Sequence, residues 1–203
     1  MPDRNFPVKT SDKQLNFIQH IIENLQPNGR AAIVLPDSCL SSEAAKKIWA
    51  FYLDPTKKSS TQCNLHTILK LPDGVFAAYA NGVKACVIFL QKGTKTDSVW
   101  LYDMRKNIKK FTTKSNPLRI EHFSDFQQSF GSDPNGKNQR IETERFKPHP
   151  IEEIVARKYD ISFVEMSQPK TYQMPNEIID KMIADYKMKI IALESLKDNL
   201  TSR

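Results

Sequence analysis

Apolar residues recur at helical spacing from Leu15 through Ile18 and Ile22 to Leu25, and Pro27-Asn28-Gly29 ends the run. This pattern predicts a helix with one buried face. Ser11-Asp12-Lys13-Gln14 ahead of it reads as a capping box, because a serine hydroxyl and a glutamine three residues on satisfy each other's orphan backbone amides. Ala31-Ala32-Ile33-Val34-Leu35-Pro36 is a short unbroken apolar run, as expected of a strand covered on both faces in a parallel sheet. A helix followed by such a strand suggests a doubly wound α/β unit. Ser42 opens a second amphipathic stretch through Ala45, Ile48, Trp49 and Tyr52, and Asp54-Pro55 closes it because a residue before proline is biased away from helix. After a polar loop from Thr56 to Gln62, Leu65-His66-Thr67-Ile68-Leu69 and Ala85-Cys86-Val87-Ile88-Phe89-Leu90 read as strands, with Val99-Trp100-Leu101-Tyr102 as a fourth. The connection containing Gly74 and Gly82 is about fifteen residues long, too long for a tight hairpin, and loops of that size are often functional.

From Arg105 to Pro150 the periodicity fades. Lys106, Lys109, Lys110 and Lys114 interleave with Ile108 and Phe111, and Ser132-Asp133-Pro134-Asn135-Gly136 is a turn signal. Irregular chain with short helices is expected there, followed by a helical stretch from Ile151 to Arg157. After Pro175, Asn176 reads as an N-cap, with Glu177 and Asp180 where the helix dipole favours negative charge. Ile179, Ile183, Tyr186, Ile190, Leu193 and Leu200 then follow a 4-3 repeat interrupted at Lys197, a coiled-coil-like seam of about three heptads. Such a seam is an intramolecular or homodimeric packing face, or else a docking face for a partner.

Composition narrows the function classes. No apolar run approaches the roughly 18 to 20 residues that span a bilayer, and Met1 to Lys13 has no apolar core of a signal peptide, so a cytoplasmic protein with no membrane partner is expected. Cys39, Cys63 and Cys86 are widely spaced and odd in number, lack metal-ligand spacing, and read as small hydrophobes; no metal site is expected. The net charge is +7, and its excess lies in the first two thirds: residues 1–93 and 94–147 each carry 11 basic and 7 acidic side chains, and residues 148–203 carry 8 and 9. That balance favours a polyanionic partner such as DNA, although by itself it is a weak signal. The six glycines form no phosphate loop or dinucleotide fingerprint, and His20, His66, His122 and His149 read as separate structural or surface residues.

Gly29-Arg30-Ala31-Ala32-Ile33-Val34-Leu35-Pro36-Asp37, followed by Cys63-Asn64-Leu65-His66-Thr67-Ile68-Leu69-Lys70-Leu71-Pro72, resembles the modification subunits of type I restriction systems in order and spacing. Asp73-Gly74-Val75-Phe76, then Gly82-Val83-Lys84, the strand from Ala85 to Gly93, and Val99 to Arg105 continue the likeness, and Gln14 to His20 fits the preceding helix. The resemblance covers about residues 10–165 and places the chain in the C-terminal part of such a subunit. It implies an α/β fold, the C-terminal half of a Rossmann-like S-adenosylmethionine-dependent methyltransferase sheet with an additional C-terminal helix. The regions would be 1–104, a partial methyltransferase domain; 105–170, an irregular family-specific extension; and 171–203, the amphipathic helix.

The function so implied is methyl transfer from S-adenosylmethionine to the exocyclic amine of adenine, on a base flipped out of the duplex. Phe76 occupies the position of an aromatic, between the sixth and seventh strands, that stacks on the flipped base; read from the residues alone, it is equally a plug for the core behind its loop. Lys84, Lys106, Lys109 and Lys110 are the DNA-contacting candidates, and Ile179, Ile183, Tyr186, Ile190 and Leu193 the docking candidates for a specificity subunit, with the restriction subunit as a further partner. Two departures stand out. The Asn-Pro-Pro-aromatic motif is missing, since Ser115-Asn116-Pro117-Leu118 lacks the second proline and the ring, and the glycine-rich cofactor motif is missing as well. The chain is therefore expected to bind no S-adenosylmethionine alone and to have no complete catalytic set. It would be a silent fragment of the methyltransferase, one half of a split enzyme, or a non-enzymatic scaffold that docks a specificity subunit.

Overall fold

The computed structural model describes residues 6–58, 60–76, 82–106, 108, 110–163, 183 and 186–190. Met1–Phe163 forms one compact unit and Val164–Arg203 a second. The first unit is a mixed α/β fold around a five-stranded sheet of β1 (Arg30–Pro36), β2 (Cys63–Lys70), β3 (Ala85–Lys92), β4 (Ser98–Asp103) and β5 (Phe146–Pro150), in the spatial order β1-β3-β2-β4-β5. β3 lies antiparallel between β1 and β2, β4 is parallel to β2, and β5 is antiparallel to β4.

Helix α1 (Lys13–Asn24) buries Leu15, Ile18 and Ile22, and helix α2 (Glu43–Leu53) buries Ala45, Ile48, Trp49 and Tyr52. Both pack on the sheet face that carries Ile33, Leu35, Cys86, Ile88 and Leu90, where Ile151 and Ile154 of helix α4 (Ile151–Ala156) join them. The opposite face carries Leu69, Tyr102 and Phe146, with Val87 and Phe89 beside them, and is covered by Phe126 of helix α3 (Ser124–Phe130). The parity of β2 changes because a bulge shifts the register between Leu65 and Thr67. Leu65 and Ile68, three apart, therefore join the same core cluster, and His66 turns toward Phe89 and Phe130.

Several sequence expectations need correction. The cap of α1 is Asp12, whose carboxylate accepts from the amides of Gln14 and Leu15, rather than Ser11; a carboxylate there also meets the positive end of the helix dipole. β1 is buried on one face only: it lies at the sheet edge, paired antiparallel with β3, and Val34 is 55% exposed. An apolar run shows that a strand can be covered and does not reveal which neighbours cover it. The segment expected to be irregular contributes β5, whose Pro148 and Pro150 are tolerated because the strand lies on the outer edge. Cys39, Cys63 and Cys86 are buried free thiols, as small hydrophobes would be.

Trp49 is fully buried and its indole N–H donates to the Cys39 carbonyl at 2.9 Å. Trp49→Ala should cost about 3–5 kcal/mol, from the cavity and the stranded carbonyl together, read as a lowered urea midpoint of the 203-residue chain.

Candidate functional site

β1 and β2 both run opposite to β3, and β4 runs with β2, so Asp37, Lys70 and Asp103 all lie at the carboxyl ends of three co-directional strands. Crevices outside such ends are where open α/β sheets bind ligands. A charged cluster occupies this rim. The side chain of Lys70 is 1% exposed and its Nζ donates to Asp37 Oδ2 at 3.1 Å. Nη1 of Arg105 lies 3.6 Å from the same oxygen, while its Nε and Nη2 each hold one oxygen of Asp103 at 2.8 Å. Burial pushes the Asp103 carboxyl up, but the Arg105 hydrogen bonds outweigh it and leave the group below its usual range. Asp37 Oδ1 is buried and has no hydrogen-bond partner among the described residues. Burial pushes the neighbouring Cys86 thiol up to about 12, which makes it inert at neutral pH.

The loop from Leu71 to Lys84 leaves and returns at this rim. Its roots are closed by Leu71 N–H on the Ala85 carbonyl at 2.9 Å, and Asp37 N–H donates to the Lys84 carbonyl at 3.0 Å. Near its start, Gly74 has φ +89°, and a β-carbon there would lie 2.0 Å from the Phe111 carbonyl oxygen. Phe111 N–H donates to the Asp73 carbonyl at 2.9 Å, so the loop is docked closely onto the 105–118 segment.

Phe76 is half-buried and packs on the cluster of Leu69, Leu71, Tyr102 and Met104. Lys84 is exposed at the returning root. Lys106 donates to the Glu144 carbonyl at 3.1 Å, and Lys110 is exposed. Lys109 lies outside the described residues. In the second unit, Ile183, Tyr186 and Ile190 are exposed, whereas Ile179 and Leu193 also lie outside the described residues.

Sequence reasoning missed the rim cluster. The one available signal was Lys70, a charge ending an otherwise apolar strand. It also missed Arg140, whose guanidinium lies 5.2 Å from the Phe130 ring, 5.5 Å from Phe146 and 5.9 Å from Trp100, with Nη1 donating to the His66 carbonyl at 3.1 Å. Burial lowers Arg140 to about 10. Burial, and then the Arg140 charge, lower His66 to about 4. Both border a polar cleft of about 410 Å³ with Asn64, Thr94, Ser98 and Lys137, at the amino ends of β2 and β4.

Gly74, Gly131 and Gly136 offer no cradle for S-adenosylmethionine. The open side of Gly74 faces the Phe111 carbonyl, that of Gly131 the Asn138 side chain, and that of Gly136 His66 and Arg140. Protein atoms fill the space a ligand would need at these three positions, whereas Gly82 has nothing within 4 Å on its open side.

Residues 3–174 match the family described as N-6 DNA Methylase. The chain is 45% identical over 150 residues to the type I restriction enzyme EcoKI methylase subunit of Escherichia coli K12, a match that covers 70% of this chain and 27% of that protein. The crystal structure of the EcoKI M protein aligns with a TM-score of 0.67 at 34% identity, covering 78% of this chain and 38% of the other. A structure reported on complex assembly and conformational transition of the type I R-M system aligns with a TM-score of 0.61 at 26% identity, covering 98% of this chain and 42% of the other. The chain thus spans well under half the length of these relatives.

His66 supplies a pH test. Its ordinary value is near 6.5 and its folded value about 4, so between these the unfolded chain binds the proton more readily. Stability from this group is complete above about pH 6.5 and falls by up to about 1.4 kcal/mol per unit as pH drops toward 4. Urea denaturation at pH 7, 5.5 and 4 should show that slope, and His66→Leu should flatten it.

Proposed function

The chain belongs to the N-6 DNA methylase family, and from that premise we propose that it supplies the target-base side of an adenine-N6 DNA methyltransferase subunit of a type I restriction-modification system. The observation that carries this reading is the direction of the strands. β1, β2 and β3 stand for the fifth, sixth and seventh strands of a Rossmann-like methyltransferase sheet, and the reversed β3 between two co-directional strands brings the Phe76 loop to the rim where Asp37 ends β1. A flipped adenine needs an aromatic wall to offset lost stacking, and such stacking contributes about 1–3 kcal/mol per base in single-strand binders. Phe76 provides that wall, half-buried against the cluster. Lys84, Lys106, Lys109 and Lys110 serve the DNA backbone.

S-adenosylmethionine is the methyl donor of the whole methylase. Its site is assigned to parts of that protein other than these residues, which contain no glycine-rich cofactor motif and lack the Asn-Pro-Pro-aromatic tetrapeptide for the target amine as well. The isolated chain is accordingly silent in methyl transfer. Calorimetry of the chain with S-adenosylmethionine should give no saturable heat, and tight binding would overturn this part of the reading. In the complete methylase, Phe76→Ala should lower kcat/KM by about ten- to a hundredfold, the range set by one stacking contact. An unchanged rate would assign Phe76 to the core alone.

A second reading concerns residues 164–203, where Ile183, Tyr186 and Ile190 are 47%, 60% and 53% exposed. These residues keep the 4-3 spacing of a helical seam, and we propose that they dock a specificity subunit, in an assembly that also takes up the restriction subunit. Changing Ile183 and Ile190 together to Glu should abolish co-purification with a specificity subunit while the circular dichroism of the α/β unit is unchanged. Undiminished co-purification would remove the docking role.

A further inference from the structure

We infer that Asp37, acting with Lys70, is the positioning residue that fixes the mouth of the Leu71–Lys84 loop and thereby the aim of Phe76; this rests on the reading of Phe76 as the base-stacking wall. Asp37 holds both roots of that loop. Its backbone N–H donates to the Lys84 carbonyl at 3.0 Å, at the returning root, and its Oδ2 accepts from Lys70 Nζ at 3.1 Å, at the leading root. A third strand end joins through Arg105, whose Nη1 is 3.6 Å from Oδ2 while its other nitrogens hold Asp103, and Met104 N–H donates to the Lys70 carbonyl at 3.1 Å.

The choice of residues argues for a positioning role. A buried ion pair commonly contributes no more to stability than apolar side chains of the same volume, and the use best attested for buried polar groups is to specify geometry. Lys70 ends a strand in which Leu65, Ile68 and Leu69 are buried, so Leu or Met there would suit packing equally well. The lysine instead finds a carboxylate 33 residues away in sequence, on a residue whose backbone N–H meets the loop's other end. Asp37 is therefore common to the two roots, its carboxylate holding the leading one and its backbone amide the returning one. Asp37 Oδ1, buried and unpartnered among the described residues, leaves the carboxylate one acceptor in reserve at the base of the loop.

The test uses the complete methylase with its specificity subunit and duplex DNA carrying 2-aminopurine at the target adenine, whose fluorescence rises on flipping. Lys70→Met and Asp37→Asn preserve side-chain volume and leave Phe76 untouched. Each should lower the 2-aminopurine signal and reduce kcat/KM by about tenfold, and Lys70→Arg should restore part of the loss. In a Phe76→Ala background the same changes should cost less than about twofold, because residues acting through one another are non-additive. Full additivity would overturn the inference. A second arm is independent of base stacking: hydrogen exchange of peptides covering residues 71–85 should accelerate in Lys70→Met and Asp37→Asn while α1 and α2 keep their protection. Unchanged exchange in both variants overturns the positioning role whatever Phe76 does, and loss of protection in α1 and α2 as well would show a merely structural role and overturn it too. If Phe76→Ala leaves the 2-aminopurine signal intact while exchange accelerates as expected, the stacking reading fails, the loop-fixing role of Asp37 stands, and its link to Phe76 is overturned.

Discussion

The antiparallel seating of β3 between β1 and β2 is the constraint on which the rest depends. It forces β1 and β2 to point the same way without touching, brings their carboxyl ends to one rim, and makes the loop leaving β2 return at that same rim. Had β3 paired at the outer edge of β1, Lys84 would still lie beside Asp37, but the returning root would be a strand away from the leading root at Lys70 and Leu71. The backbone ladder thus sets the position, and the ion pair refines it.

That ladder also explains how the two faces are used. Side chains of a strand alternate between faces, so helices α1, α2 and α4 take one set of β1, β3 and β4 residues while the 105–146 segment takes the other. The bulge in β2 changes that alternation, so that Leu65 and Ile68 join one cluster, and leaves His66 buried at the break in register. Arg140 then donates to the His66 carbonyl. An irregular segment is in this way anchored to the sheet by one cation among three rings, an arrangement that gains strength as the rings exclude water.

Periodicity made α1, α2 and the first four strands legible, because each buries a face whose spacing shows in the sequence. It misjudged β1, since an apolar run carries no information about what lies across the edge, and it passed over β5 because two prolines in five residues look like a break until the strand is known to be outermost. Phe76 was legible as a candidate through its resemblance to a known loop. Asp37, Lys70 and Arg105 were not, because their meeting is made by strand order, and nothing local to Pro36-Asp37 or Leu69-Lys70 announces it.

The same distinction changes how the basic charge should be read. A net charge of +7 invites the inference of a broad polyanion-binding surface, yet its cations are not equivalent in the fold. Lys70 and Arg105 are neutralised by Asp37 and Asp103, and Arg140 is enclosed by aromatic rings. Lys84 and Lys110 are exposed, and Lys84 stands at the returning root of the Phe76 loop. If the salt dependence of DNA binding counts released counterions, the contribution of this chain should follow those exposed lysines and leave out the buried cations. Lys70 and Arg105 add to the net charge yet hold the rim together, while most of the described lysines face solvent.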